Sequence, residues 1–490
     1  MQEKRSVYIT TAIDYVNARP HIGHALEKIQ ADVLARYFRA EGYDTRFLTG
    51  TDENSLKNVL AAKEVDEETE TFVAKNAEVF KDLGRALNLT WDDFIRTTEG
   101  RHILGVNKFW QACKSEDIYK KAYKGLYCVG CEEFKTEKEI ADGKCPEHPN
   151  RDLETVEEEN YFFRLSAYAD TLKEKIFKNE ILIVPESRKN EMLSFIDQGL
   201  EDFSISRSIA RAEGWGIPVP GDETQVIYVW FDALLNYITA LGYGSEDESK
   251  FKKYWGEGES IHVIGKGITR FHAIYWPAML LSAELPLPNK IFSHGYLTID
   301  GQKISKSLGN VVDPFEVAEK YGADALRYFL LRESSPYEDG DFSVKKLEER
   351  YNGELANGLG NLVARVSALG ENISPIAYTN STSIEKSIND AKSEAAPLLG
   401  AFKFNEALER IHRCLDQANV ALNVDQPWYK EGQERADKIE SRCAELFVIS
   451  KLLDPFLPRA AQSIREQIAY DPEKRVFNVK KGAALFPRLQ

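Results

Sequence analysis

A chain of 490 residues, 43% hydrophobic and 29% charged, has the make-up of an ordinary globular protein and is long enough for about two to four buried cores. No apolar run approaches the roughly 20 residues that span a bilayer, and Met1-Gln2-Glu3-Lys4-Arg5 lacks the apolar core of a signal peptide, so a cytoplasmic location is expected. The net charge of −15 argues against bulk attraction to nucleic acid but leaves local basic patches free to contact phosphate.

Residues 7–52 read as strand, helix, strand. An apolar start (Val7 to Ile13) precedes a helical period at Ala25, Ile29, Val33, Leu34 and Tyr37, and then Thr45-Arg46-Phe47-Leu48-Thr49. Such a βαβ unit predicts a parallel α/β sheet with its ligand at the carboxyl edge. Helical patterns continue to about residue 113, and residues 115–225 turn to cysteines, turns and short aromatic runs, as in an inserted domain. Strand signals return at Gln225–Trp230 and Ser260–Gly265, where the sheet is expected to resume. From about residue 346 helical periodicity dominates and predicts an α-helical bundle. The expected division is therefore 1–114 and 226–295 as the two halves of a Rossmann-type domain, 115–225 as the insertion, 296–345 as a linker and 346–490 as the bundle. From Asp454 onward the chain has seven Lys or Arg against four Asp or Glu, a basic end on an acidic protein.

Three of the six cysteines cluster with a histidine in the pattern Cys128-x2-Cys131-x13-Cys145-x2-His148. Two short chelating turns joined by such a linker suit one tetrahedral zinc ion, and four protein ligands make a closed, structural site. Gly130 and Gly143 supply turn conformations. Cys113, Cys414 and Cys443 have no such neighbours and read as core thiols.

Two short motifs carry the chemistry. His21-Ile22-Gly23-His24 falls at a strand-to-helix turn, where open backbone N–H groups and the helix dipole favour anions. Imidazoles there can donate to phosphate oxygens, and Gly23 leaves room for a nucleotide. Lys303-Ile304-Ser305-Lys306-Ser307 follows the turn Asp300-Gly301-Gln302, so its lysines lie on a loop suited to a charge that develops transiently, such as departing pyrophosphate. Taken singly, the histidines could merely cap a helix and the lysines could be solvated. Their co-occurrence in this order points to activation of a carboxylate by ATP.

The pair resembles the two signatures of the class I aminoacyl-tRNA synthetases. Tyr15-Val16-Asn17, Thr49-Gly50-Thr51-Asp52-Glu53, Tyr228-Val229-Trp230-Phe231-Asp232-Ala233, Phe271-His272 with Trp276-Pro277, and Trp428 are similar to the methionyl branch. The resemblance runs from residue 7 to about 430. It implies a ligase that joins L-methionine to AMP, releases pyrophosphate and transfers methionyl to the 3′ end of tRNA(Met), the initiator included. It implies His21, Gly23, His24, Glu27, Lys303 and Lys306 around ATP and its Mg2+, with His21, His24, Lys303 and Lys306 catalytic. It assigns methionine to Ile13, Tyr15, Asp52, Trp230, Ala233, Tyr237, Ile268, His272 and Trp276, and the anticodon to Asn361, Arg365 and Trp428. It also implies a one-knuckle zinc domain. A chain ending at Gln490, without the dimerising module some methionyl enzymes carry, is expected to be a monomer. Two positions depart from the family pattern: Gly267 stands where an aspartate commonly reaches the ribose, and Ile304 replaces methionine in the lysine motif. The isoleucyl, valyl and leucyl branches carry a long editing insertion that the spacing of the two motifs does not accommodate.

Overall fold

The apolar start of the chain forms β1 (Ser6–Thr11), buried on both faces from Val7 onward as a central parallel strand must be. The computed structural model describes residues 5–128, 133–135, 140–146, 152–304, 309–380 and 382–489. They fall into two compact units, residues 1–20, 42–82 and 91–293 in the first and 21–41, 83–90 and 294–490 in the second.

In the first unit β1 is followed by β2 (Asp14–Tyr15), β3 (Asp44–Asp52) and β4 (Asp93–Arg96). β3 pairs in parallel with all three, with Phe47 opposite Ile9, Asp52 opposite Tyr15 and Gly50 opposite Ile95. Next comes an antiparallel ribbon of β5 (Ile118–Cys128), β6 (Glu133–Lys135) and β7 (Glu154–Phe163), in which β5 and β7 pair from Ile118–Phe163 to Tyr127–Glu154. The chain then makes β8 (Leu182–Val184) and β9 (Phe203–Ser204), which pairs with β7. A second small antiparallel sheet joins β10 (Ser206–Ser208), β11 (Pro218–Val219) and β12 (Asp222–Ile227). The strands β13 (Glu259–Gly265) and β14 (Lys290–His294) complete the parallel sheet, whose order is β2-β3-β1-β13-β14-β8 with β4 also on β3.

In the first unit two details differ from the sequence reading. β8 lies inside the span 115–225, yet it pairs with β14, Ile183 opposite Ile291, both essentially fully buried. Three apolar residues are enough for an edge strand but too few to give a periodic signal. The strand signal at 225–230 is also split. β12 stays in the small antiparallel sheet, and Tyr228 begins the helix Val229–Leu234, whose apolar residues are buried on several sides and so mimic a strand.

The second unit begins with α1 (Ile22–Ala40). It contains the hairpin β15 (Leu297–Ile299) and β16 (Gln302–Lys303), turned by Asp300 and Gly301 at φ of 48° and 75°, and β17 (Gly340–Phe342) parallel to β15. Its C-terminal part is helical, with helices Asn361–Glu371, Ile384–Gly400, Phe404–Asp425, Gly432–Leu453 and Pro458–Gln467. A small antiparallel sheet not foreseen from the helical pattern joins β18 (Ile376–Ala377), β19 (Ile468–Asp471) and β20 (Val476–Val479). A buried ion pair ties α1 into this unit: Arg327 reaches Asp32 at 2.8 Å, and its other donors meet the carbonyls of Phe456, Pro455 and Leu87.

Candidate active site

His21 is the N-cap of α1. Its Nδ1 accepts the Gly23 N–H at 3.1 Å, and the His24 Nδ1 accepts the His21 N–H at 3.0 Å, with the two rings stacked 3.9 Å apart. Capping is therefore the structural work of both histidines. It has a chemical consequence: a neutral imidazole that accepts at Nδ1 must carry its proton at Nε2. Burial, helped by the Lys28 ammonium, pushes His24 down to about 3, so its ring is a neutral Nε2–H donor at pH 7. A Cβ on Gly23 would stand 2.9 Å from the His21 ring, so glycine here makes room first for that imidazole. Glu27, one turn further on, is buried, and its Oε2 lies 3.2 Å from Nε2 of His294. His294 donates from Nδ1 to the Gly295 carbonyl at 2.7 Å, which orients Nε2 toward Glu27. Nothing in the sequence had pointed to His294. Lys303 lies in β16 opposite Thr298, while Lys306 falls outside the described residues.

The remaining candidates for methionine lie in the first unit. Asp52 ends β3, is 3% exposed, and receives the Asn54 N–H at 3.3 Å; Tyr15 is its strand partner in β2. Its neighbour Glu53 is fully occupied by Arg96 through two bonds of 2.7 and 2.9 Å and by Thr51 and Thr98. The Glu53 carboxylate is thus structural. Ile13, Trp230 and Ile268 are half-buried against the core that holds Tyr237 and Trp276, and Ala233 is buried on the helix Val229–Leu234. His272 sits in a widened helical turn, Phe271–Tyr275, that leads into the helix Trp276–Ser282. Its Nδ1 donates to the Ile268 carbonyl at 2.9 Å, so Nε2 accepts from the Tyr237 hydroxyl at 2.7 Å. The Trp230 ring lies flat on Phe271 at 3.8 Å, and the buried Nε1 atoms of Trp230 and Trp276 have no hydrogen-bond partner among the described residues. Gly267 lies in a single 3-10 turn just after β13.

Cys128 closes β5, and Cys145 follows a turn in which Asp142 and Gly143 have positive φ. Both are buried and neither is in a disulfide; Cys145 is buried although residues 141–144 and 146 around it are exposed. A buried thiol in an exposed turn fits metal ligation, whereas packing offers it little. Cys131 and His148 lie outside the described residues, and no group of three or more metal-binding side chains occurs among the described residues.

In the helical part, Asn361 and Arg365 stand one turn apart. The Arg365 guanidinium donates to Asn423 Oδ1 at 2.8 Å and lies 5.2 Å from the Trp428 ring, which is 38% exposed. Gln426, in the left-handed region at φ 44°, turns the chain so that Trp428 can face Arg365.

The family model described as tRNA synthetases class I (M) matches residues 7–154 and 149–367. The methionine–tRNA ligase of Caldanaerobacter subterraneus subsp. tengcongensis is 42% identical over 99% of this chain and 79% of its own length. That of Brucella suis biovar 1 is also 42% identical, over 97% of this chain and 94% of its own. The chain belongs to the methionyl-tRNA synthetases of class I. A solved Mycobacterium tuberculosis methionyl-tRNA synthetase in complex with methionyl-adenylate matches with a TM-score of 0.91 and 37% identity, over 99% of this chain and 100% of that one. As a methionyl-tRNA synthetase, the protein activates methionine with ATP and transfers it to tRNA in two steps.

Some supporting residues of this synthetase were missed from the sequence. Asp232 is buried, takes the His102 Nε2 contact at 2.6 Å, and accepts from the Asn54 amide at 2.7 Å; Asn54 in turn meets Asp52 through its backbone. His262 sits with its ring centre 4.2 Å from that of Tyr237 and its Nδ1 2.6 Å from Thr10 Oγ1. Burial, then His272, drives its imidazole well below the ordinary range, so it is neutral. His102 and Asp232, Asn54 and Asp232, and Thr10 and His262 are each separated by more than a hundred residues in the chain, and only the fold brings them together.

Proposed function

We propose the following division of labour for the two-step reaction. Asp52 pairs with the α-ammonium of L-methionine, and Ile13, Tyr15, Trp230, Ala233, Tyr237, Ile268, His272 and Trp276 line its side-chain pocket, where sulfur–aromatic contact suits a thioether. His21 and His24 donate to the phosphates of ATP, which enters with Mg2+; Gly23 and Glu27 complete the nucleotide site. A methionine carboxylate oxygen attacks the α-phosphorus in line, the bond to pyrophosphate breaks, and Lys306, with Lys303, neutralises the charge gathering on that leaving group. A hydroxyl of the terminal tRNA ribose then attacks the methionyl carbonyl and AMP departs. Asn361, Arg365 and Trp428 read and stack the anticodon of tRNA(Met), the initiator included.

One observation carries the phosphate assignment. Both signature histidines spend Nδ1 on the backbone, so each ring that accepts there carries its proton on Nε2, the atom that can donate. Gly267 leaves the ribose without the family's usual carboxylate. Cys128, Cys131, Cys145 and His148 would hold one zinc ion, which would cross-link the insertion and take no part in the reaction. The protein acts as a cytoplasmic monomer, with working domains at 1–114 with 226–295, 115–225, 296–345 and 346–490.

The test is pyrophosphate exchange with the variant Lys306→Ala. Loss of about 10²–10³-fold in kcat with the methionine KM held is expected of a group that acts on the transition state. A rise in KM at constant kcat would make Lys306 a ground-state binder.

A further inference from the structure

Asp232 carries a fully buried carboxylate in the first unit, and both of its oxygens are engaged. Oδ1 lies 2.6 Å from Nε2 of His102, and Oδ2 accepts from the Asn54 amide at 2.7 Å. His102, itself fully buried on the helix Gly100–Ala112, has its other ring nitrogen 2.8 Å from Thr239 Oγ1, so the imidazole is held at both ends. The Asn54 side-chain nitrogen also donates to the Thr97 carbonyl at 3.2 Å. An amide with both protons committed has one orientation. The backbone N–H of the same residue donates to Asp52 Oδ1 at 3.3 Å, and the Asn58 amide donates to the Asp52 carbonyl at 2.9 Å. An unbroken polar chain therefore runs from His102 through Asp232 and Asn54 to Asp52.

The two ends of this chain sit on different elements. Asp52 closes β3, with Asn54 two residues beyond it, whereas Asp232 belongs to the helix Val229–Leu234, which also carries Trp230 and Ala233. Trp230 and Ala233 stand three residues apart and so share one helix face, and Asp232 lies off that face, toward β3. An apolar side chain of the same size would fill the Asp232 site without the cost of burying a charge. What the carboxylate adds is direction. A buried polar network whose members are satisfied holds the elements it joins in one arrangement, and here it joins the end of β3 to the helix of Trp230 and Ala233.

We infer that Asp232, backed by His102, is a positioning residue that sets the spacing between Asp52 and the pocket wall of Trp230 and Ala233, and with it the length of side chain the site accepts. An amino acid gripped by its ammonium at one point and by its side-chain end at another fits only when that spacing matches, and a misplacement of about 1 Å is costly in rate. The inference rests on the pairing of Asp52 with the α-ammonium and on Trp230 and Ala233 as pocket walls, as proposed above.

The experiment is pyrophosphate exchange by the full chain and by the variants Asn54→Ala, Asp232→Asn and the two combined, with L-methionine and with L-ethionine, which is longer by one methylene. Each single variant should raise the methionine KM about tenfold and leave the ATP KM within about twofold. Each should also raise kcat/KM for ethionine relative to methionine by about tenfold, out of the roughly 10–200-fold that one methylene is worth in a fitted pocket. The combined variant should be no worse than the poorer single one, because both cut the same chain of contacts. Arg101→Gln takes from the helix of His102 a guanidinium bound to Asp93 at 2.9 and 3.0 Å; it should lower the thermal midpoint and leave the ethionine ratio at the parental value. Should Asp232→Asn not fold, the half-buried Asn54→Ala decides the matter by its own ethionine ratio. An unchanged ratio in Asn54→Ala would overturn the inference, as would additive losses in the combined variant or the same shift in Arg101→Gln. Asp52→Asn is measured alongside: an unaltered methionine KM there would remove Asp52 as the partner of the ammonium, and the spacing role of Asp232 would still be judged on the ethionine ratio.

Discussion

In the proposed methionine pocket the His272–Tyr237 bond has a defined direction, because the Ile268 carbonyl fixes which imidazole nitrogen accepts. Removing the hydroxyl in Tyr237→Phe leaves a fully buried acceptor unsatisfied, which costs about 1–3 kcal/mol. Urea unfolding should therefore show a lower midpoint, and the methionine KM should rise while kcat changes little. An unchanged KM would take this pair out of the pocket. At the same scale, His24 has a proton linkage with a definite sign. In the unfolded chain a histidine binds a proton below about 6.5, whereas folded His24 does so only near 3. The unfolded state thus binds more protons between those values, and stability conferred by the capped start of α1 is present above that window and lost as pH falls through it. The residues that the sequence exposed were those with a motif around them: His21, His24, Asp52 and the Trp230 and His272 stretches. Asn423 meets Arg365, His262 meets Thr10 and His294 meets Glu27 across long stretches of chain, and such distant contacts leave no local pattern.

Among the elements, α1 is held by Arg327. For Asp32, burial alone would raise the carboxyl, but Arg327 and Arg36, with Thr90, outweigh it and hold it below the ordinary carboxylate range. Its folded pKa is depressed, so the stability it contributes is present above the usual carboxylate range and lost as pH falls below it. Arg327→Leu leaves Asp32 only Arg36 and Thr90 to offset its burial and should cost about 3 kcal/mol, with unfolding shifted toward neutral pH. Retention of parental stability at pH 7 would show that the pair is dispensable. The proposed zinc site is tested at this scale too. Freshly purified protein should contain one equivalent of zinc, and Cys145→Ser should lose it together with early thermal unfolding. Metal analysis well below half an equivalent in the parent would contradict the four-ligand assignment. Element legibility followed length. β1, α1, β3 and the C-terminal helices are long enough to show their period, while β8, β18 and the split at Tyr228 are three residues or fewer in their deciding part and are set by tertiary pairing.

Over the whole molecule, the parallel sheet and the helical region follow from patterns read along the chain, and the family follows from motifs spread across it. The partition into two units did not: α1 lies between β1 and β3 in the chain and yet belongs to the second unit, through Arg327, Thr90 and the carbonyls near residue 455. Local periodicity assigns a helix but says nothing of which side chains will hold it. The central claim is that a methionine-specific carboxylate is activated by ATP in this chain. It is tested most directly by pyrophosphate exchange measured with each of the common amino acids in turn. Exchange with L-methionine that exceeds leucine, isoleucine, valine and cysteine by several powers of ten is the predicted result, since several pocket contacts worth about 1–3 kcal/mol each must act together. Equal or greater exchange with any one of those four would contradict the account.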